Sequence, residues 1–203
     1  MEKFTKLTGK AVPFDSINVD TDQIIPAPFL SIMRTEGYQG LLFHRVRRDK
    51  AGDMNPDFIF NKEIYADASI IVADRNFGCG SSREGAAWAL VDNGFYSVIA
   101  PSFGDIHFNN EMNNGMVPVR LDEAVCTDLR AQLHANPGAE ITVDLETNTV
   151  TAPNGDTHSF EIPDFNRERL LKGLDEIDLT LNYTAQIERF EAQRGQTLGY
   201  IDD

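Results

Sequence analysis

The chain has 203 residues, of which 41% are hydrophobic, and its formal net charge at pH 7 is -14. A chain of this length can bury a substantial core as one globular domain. The negative charge argues against a general affinity for nucleic acid or for an anionic membrane, because both require a surplus of Lys and Arg. We therefore expect the partners to be small molecules or another protein.

The sequence shows no segment that would direct the chain to a membrane. No stretch approaches the about 20 apolar residues of a membrane span, and residues 1–14 lack the apolar core of a signal peptide. Cys79 and Cys126 are far apart, which suits neither a disulfide framework nor a metal site and is typical of a reducing compartment. We expect a soluble, cytoplasmic protein.

The first third of the chain predicts one strand followed by long loops. Residues 3–14 alternate loosely between polar and apolar side chains, as in a strand. Residues 15–30 are rich in Asp, Asn and Pro and are interpreted as a loop. Residues 36–46 contain a short apolar cluster that suits one or two helical turns, and residues 47–57 suit a charged surface loop.

The middle of the chain alternates strand and helix patterns. Residues 68–75 form a β-branched run typical of a buried parallel strand, and residues 82–93 are apolar on nearly all sides, as in a buried helix. The pattern then repeats with strands predicted near 96–100 and 116–121 and helices near 103–113 and 122–134. This spacing indicates βαβ units.

From residue 140 onward, short β-runs and an Asn-Gly step at 154–155 predict a small antiparallel ribbon. The C-terminal part predicts two helices separated at Gly173, within about 165–195. The sequence therefore predicts one α/β domain over residues 1–203, with a central, mostly parallel sheet and a β-rich flank.

The segment NFGCGSSREGAAWAL, residues 76–90, has two interpretations. Ser81 followed three places later by Glu84 fits a capping box at the start of a helix. Gly78 and Gly80, however, suggest a strained turn or a close approach to the backbone. Helix amides and the planar fork of Arg83 would then make the site a carboxylate receptor.

Other site types fit this segment poorly. It lacks the third glycine of a dinucleotide fingerprint, the Gly-Lys-Ser/Thr step of a nucleotide phosphate loop and the G-x-S-x-G of a nucleophile elbow. The four histidines are scattered along the chain, so a serine-histidine dyad could arise only through folding.

Three segments together resemble the family of 3-isopropylmalate dehydratase small subunits, which are swivelling domains of the aconitase superfamily. These segments are NVDTDQIIPAPFL, NFGCGSSREGAAWAL and APSFGDIHFNNEMNNGMVPV, and the resemblance extends to GLDEIDLTL near the C-terminus. It implies a β/β/α swivelling domain that closes over an active site carried by a separate large subunit. It further implies a hydro-lyase that interconverts 2- and 3-isopropylmalate by dehydration and rehydration in leucine biosynthesis.

The resemblance also implies roles for individual residues. Ser81 would be the general base, Ser82 and Arg83 would bind a substrate carboxylate, and Asp22 and Arg34 would complete the substrate site. Either Arg45 or Arg47 is an alternative to Arg34, which otherwise is a solvated charge, and Asp20 and Asp22 alternatively form Asx turns. A [4Fe-4S] cluster is expected on the large subunit, since two distant cysteines cannot supply three thiolates. The chain itself is expected to bind no metal and to require that partner.

One position departs from the family pattern. Gly85 stands where the family usually has histidine, which leaves the exact diacid substrate open. His107 is either a substitute behind the site or a structural residue of a helix. Two other functions remain open: a related dehydratase acting on citraconate or methylmalate, and a non-catalytic carboxylate-binding module in which Ser81 is only a cap.

Overall fold

The computed structural model describes residues 1–81, 83–181 and 183–197. The strands are Lys6–Phe14 (β1), Ile70–Ala73 (β2), Ser97–Ala100 (β3), Val117–Arg120 (β4), Glu140–Asp144 (β5), Thr149–Thr151 (β6) and Thr157–Ser159 (β7). The helices are Thr21–Ile24 (α1), Glu84–Asp92 (α2), Asp105–Asn113 (α3), Glu123–Ala135 (α4), Asp164–Lys172 (α5), Glu176–Leu181 (α6) and Thr184–Thr197 (α7). Short 3-10 helices lie at Ala27–Ser31, Arg34–Glu36, Ile59–Asn61 and Glu63–Tyr65.

The described strands form one sheet in the order β4-β3-β2-β1-β5-β6-β7. Strands β1 to β4 pair in parallel, whereas β5, β6 and β7 extend the sheet as an antiparallel ribbon. The long strand β1 belongs to both parts: residues 6–10 pair with β5 and residues 11–14 pair with β2. The predicted α/β class with a parallel centre and a β-rich flank is confirmed.

The apolar core surrounds the parallel strands. Every residue of β2 and β3 is buried, which is typical of parallel strands covered on both faces. Helix α4 packs against β1, β2 and β3, and α2 packs against α3. The alternation predicted for the middle of the chain is therefore confirmed.

Two predictions for the N-terminal loops differ from the structure. Residues 15–30 are not entirely loop, because Asp20 accepts a hydrogen bond from the amide of Asp22 at 2.6 Å and so caps the short helix α1. Residues 39–46 form turns instead of a helix. Phe43 has a φ of 54°, in the left-handed region, which a continuous right-handed helix excludes.

The C-terminal helices agree with the prediction in part. Gly173 ends α5 in the left-handed conformation, with a φ of 69°. The single helix predicted after it is instead divided into α6 and α7. Within the described residues, no helix has the length and apolar character needed to cross a membrane.

Candidate active site

The candidate site lies where parallel strands end. Because β1, β2 and β3 run in the same direction, the loops that follow them meet at one edge of the sheet, where ligands of such folds commonly bind. Two isolated bridges join these loops, one between Asp20 and Cys79 and one between Phe77 and Phe103. The loop after β2 is therefore held between the other two.

Backbone hydrogen bonds fix that central loop from both sides. The amide of Cys79 donates to the carbonyl of Val19 at 3.1 Å, and the amide of Thr21 donates to the carbonyl of Cys79 at 3.0 Å. On the other side, the amide of Gly104 donates to the carbonyl of Phe77 at 2.9 Å. We call residues 78–81 the glycine turn.

Both glycines of the turn are required by its shape. Gly78 and Gly80 have φ values of 69° and 85°, which side chains rarely permit. A methyl group at Gly80 would lie 2.4 Å from Oδ2 of Asp20, and one at Gly78 would lie 2.0 Å from Cδ2 of His107. The close approach that the glycines indicated is therefore made, in this chain, by its own side chains.

Ser81 lies exposed at the end of the glycine turn. Its carbonyl accepts a hydrogen bond from Oγ1 of Thr21 at 2.8 Å, so its backbone is anchored to α1. Among the described residues, none forms a hydrogen bond with its hydroxyl group. The hydroxyl is thus presented to the solvent at the carboxyl edge of the sheet.

The alternative interpretation of Ser81 as a helix cap is wrong. The N-cap residue of α2 is Arg83, in an extended conformation, and its side chain makes no capping hydrogen bond. Glu84, the other member of the predicted capping box, accepts a hydrogen bond from Nδ2 of Asn114 at 3.1 Å. Ser82 lies outside the described residues.

Arg83 and Asp22, two of the predicted site residues, lie in contact with each other. Nη1 of Arg83 donates to Oδ1 of Asp22, which also accepts a hydrogen bond from the amide of Ala27 at 3.1 Å. Nη1 of Arg45 lies 3.7 Å from Oδ2 of the same carboxylate. The hydrogen bond from Arg83 holds the pKa of Asp22 below its ordinary value. Two guanidinium groups thus flank the carboxylate of Asp22.

Arg34 lies elsewhere. Its guanidinium pairs with Asp92, the last residue of α2, and lies 5.6 Å from the ring centroid of Trp88. Because α2 begins after Arg83 and rises about 1.5 Å per residue, this pair is separated from Arg83 by roughly 13 Å along the helix. The structure does not bring Arg34 to the candidate site.

Of the two alternative arginines, only Arg45 lies at the site. Arg47 instead stabilises the loop, donating to Oδ1 of Asn61 at 2.9 Å and to the carbonyl of Phe60 at 3.2 Å. The left-handed turn at Phe43 reverses the chain just before Arg45 and directs it back towards α1, since the amide of Phe43 donates to the carbonyl of Ile24. No signal in the sequence marks this turn.

Gly85 has a packing reason in this chain. A methyl group there would lie 2.9 Å from Cδ2 of Leu30, and the ring of Tyr38 is the next neighbour. The side chains of Leu30 and Tyr38 therefore line this position, and the terminal methyl group of Leu30 would have to move to admit a larger residue.

The described residues do not fit an iron-sulfur cluster. They contain no group of three or more His, Cys, Asp or Glu side chains arranged to hold a metal ion. Of the two cysteines, Cys79 lies in the glycine turn, and Cys126 is buried in α4, where burial raises the pKa of its thiol to about 12. A thiol with this pKa is a poor source of the thiolate that a cluster requires.

Comparison with known proteins identifies the family. The model of the aconitase C-terminal domain matches residues 1–124, and the LeuD_N model matches residues 127–164. The 3-isopropylmalate dehydratase small subunit of Shewanella amazonensis is 51% identical over 195 residues, covering 95% of this chain and 97% of the relative. That of Dinoroseobacter shibae is 49% identical over 193 residues, covering 95% of this chain and 96% of the relative.

A solved structure agrees with these relatives. The crystal structure of 3-isopropylmalate dehydratase (leuD) from Methanocaldococcus jannaschii is 27% identical, with a TM-score of 0.62, and the match covers 94% of this chain and 99% of that one. Both sequence relatives and the solved structure match nearly the whole chain, so the similarity is not limited to the glycine turn. The chain belongs to the family of 3-isopropylmalate dehydratase small subunits, within the aconitase superfamily.

Proposed function

We propose that this chain is the small subunit of a 3-isopropylmalate dehydratase, a hydro-lyase that interconverts 2- and 3-isopropylmalate in leucine biosynthesis. The observation that carries the proposal is the position of the Ser81 hydroxyl, exposed at the carboxyl edge of the sheet and two residues before Arg83 at the start of α2. The half-identical relatives supply the reaction class.

Ser81 would act as the general base that removes the proton next to a substrate carboxylate. An unassisted serine hydroxyl is a very weak base, so its alkoxide must be stabilised far better than water would stabilise it. In this proposal, the amides at the start of α2 and the guanidinium of Arg83, which follow Ser81 in the sequence, would supply positive charge to the alkoxide. Closure of a partner over the exposed site would exclude water and strengthen these interactions.

Arg83 and Arg45 would bind the carboxylates of the substrate, together with Ser82. Asp22 would hold the Arg83 guanidinium in position, since it accepts the hydrogen bond from that group and is itself fixed by the amide of Ala27. Arg34 remains the competing second arginine from the family pattern. The contact between Arg45 and Asp22 supports Arg45.

The large subunit of the same family would be the obligatory partner and would carry the [4Fe-4S] cluster. This assignment is supported by the family to which the chain belongs and by its having only two cysteines, too few for the three thiolates of a cluster. We propose that residues 1–203 act as one swivelling domain against that partner. Strand β1 supports the assignment of a single domain, because it pairs with both the parallel and the antiparallel part of the sheet.

Reconstitution with a large subunit tests the proposal. The complex should convert isopropylmalate faster than citraconate or methylmalate, and the Ser81→Ala complex should lose turnover. Unfolding of the variant chain should stay within about 0.5 kcal/mol of wild type, because the fold uses the carbonyl of Ser81 and not its hydroxyl. A Ser81→Ala complex with normal turnover would exclude this residue as the base.

A matched pair of variants decides between the arginines. Arg45→Ala and Arg34→Ala remove the same charge from two places in the same part of the chain. If Arg45 binds substrate, its loss raises KM about tenfold or more, since a hydrogen bond between charged groups contributes about 1.5–3 kcal/mol. A rise in KM for Arg34→Ala alone would instead assign the role to Arg34.

A further inference from the structure

A pair of ionisable side chains lies buried beneath the glycine turn. His107 and Glu111 are one turn apart on α3, and both side chains are fully buried. Nε2 of His107 lies 2.9 Å from Oε1 of Glu111, so the two side chains are in direct polar contact. No hydrogen-bond partner reaches either side chain from the rest of the described residues.

Burying such a pair in the core costs free energy. Burying a carboxylate or an imidazolium removes it from water, and a contact with one partner repays only part of that cost. Burial accordingly raises the pKa of Glu111, and the neighbouring His107 opposes this increase. Apolar side chains of similar volume would pack at this place on α3 without that cost.

The imidazole of His107 touches the glycine turn itself. The 2.0 Å separation between Cδ2 of His107 and a methyl group placed on Gly78 shows that the ring fills the space beside the Gly78 α-carbon. The centroid of the Phe77 ring lies 5.6 Å from that of the His107 ring. Gly104, just before α3, approaches the carbonyl of Gly78 so closely that a methyl group there would lie 2.4 Å from it. The start of α3 therefore packs directly against the glycine turn.

We propose that His107 and Glu111 are a positioning pair for Ser81. Glu111 holds the orientation of the imidazole, the imidazole supports Gly78, and Gly78 fixes the path of the turn that presents the Ser81 hydroxyl three residues later. The inference rests on the proposed function of Ser81. It adds two residues that touch no substrate and act only through the backbone of the turn.

Glu111→Leu tests the pair. It removes the carboxylate that contacts His107 and fills the space with an apolar side chain of similar size. In the reconstituted complex, kcat should fall about tenfold to a hundredfold, as expected for a small displacement of a reacting group, with a smaller change in KM. Glu111→Gln keeps the shape and can still make the polar contact with the ring, so it should retain most of the wild-type kcat. In the isolated chain, the Cys79 thiol, which lies in the turn, should react faster with Ellman's reagent in Glu111→Leu.

Met112→Ala is the matched control. Met112 is a buried neighbour on α3, and its sulfur contacts Nδ2 of Asn166 at 3.0 Å, away from the turn. This variant should lower the melting temperature without changing kcat or the Cys79 rate. If Glu111→Leu behaves in the same way, the pair is only a packing feature and the proposal is wrong.

Two further results keep the test decisive. Should Glu111→Leu fail to fold, His107→Gln keeps an amide for Glu111 but removes the ring from Gly78, and it should give the same loss of kcat and the same increase in Cys79 reactivity. Wild-type values in His107→Gln would overturn the proposal. If the wild-type complex converts no isopropylmalate, the proposed function fails, while the Cys79 rates of the isolated variants still decide whether the pair positions the turn.

Discussion

Replacing Gly80 by alanine should separate backbone strain from the close approach of Asp20. The left-handed φ of 85° alone costs an alanine about 1–2 kcal/mol. The added methyl group would also lie 2.4 Å from Oδ2 of Asp20. Displacing that side chain would remove the cap of α1, which contributes about 0.5–2 kcal/mol. The expected loss is therefore about 1.5–4 kcal/mol.

Gly155 supplies the control. It has a φ of 93°, and a methyl group there would meet no atom within 4 Å. Gly155→Ala should thus show the strain alone, about 1–2 kcal/mol. Urea unfolding of both variants, fitted with a common m-value, gives the two losses. Equal losses at Gly80 and Gly155 would refute the claim that Asp20 crowds the glycine turn.

The titration of Asp22 and the two thiols gives further predictions. Because Arg83 lowers the pKa of Asp22 below its ordinary 3.8, the ionised form stabilises the fold above that pH, and this stability is lost as the pH falls through the lower, folded value. Asp22→Asn should therefore reduce the pH dependence of unfolding below about pH 4, and an unchanged acid transition would contradict this. At pH 8, Ellman's reagent should titrate Cys79 in the native chain and reach Cys126 only after denaturation, since burial raises the pKa of Cys126 to about 12; rapid reaction of both thiols in the native chain would contradict this.

Local patterns predicted much of the fold. The buried β-branched runs predicted the parallel strands, and the Asn-Gly step predicted the turn before β7. Gly173 marked the end of α5. These features depend on residues adjacent in sequence, which is why the sequence alone was sufficient for them.

The partners of the arginines depend instead on distant parts of the chain. Arg83 and Asp22 are 61 residues apart; the family resemblance marked each as a site residue, but nothing in the sequence predicted that they pair. Arg34 meets Asp92 across 58 residues, which no local pattern indicates. The position of Arg45 depends on the left-handed Phe43, whose ring packs 4.8 Å from that of Phe60 and 5.2 Å from that of Phe14. An aromatic residue in that conformation is maintained by tertiary packing, so its own sequence neighbourhood gives no sign of it.

Strand β1 has a consequence for synthesis of the chain. Lys6 pairs with Asp144, whereas Phe14 pairs with Ala73, so the two halves of one strand find their neighbours at very different times during translation. After β2 has left the ribosome, the leading half still offers open backbone donors and acceptors until β5 emerges. An unpaired edge of this kind can recruit the wrong strand. Lys6 and Lys10, whose charges discourage pairing with another copy, lie in that leading half.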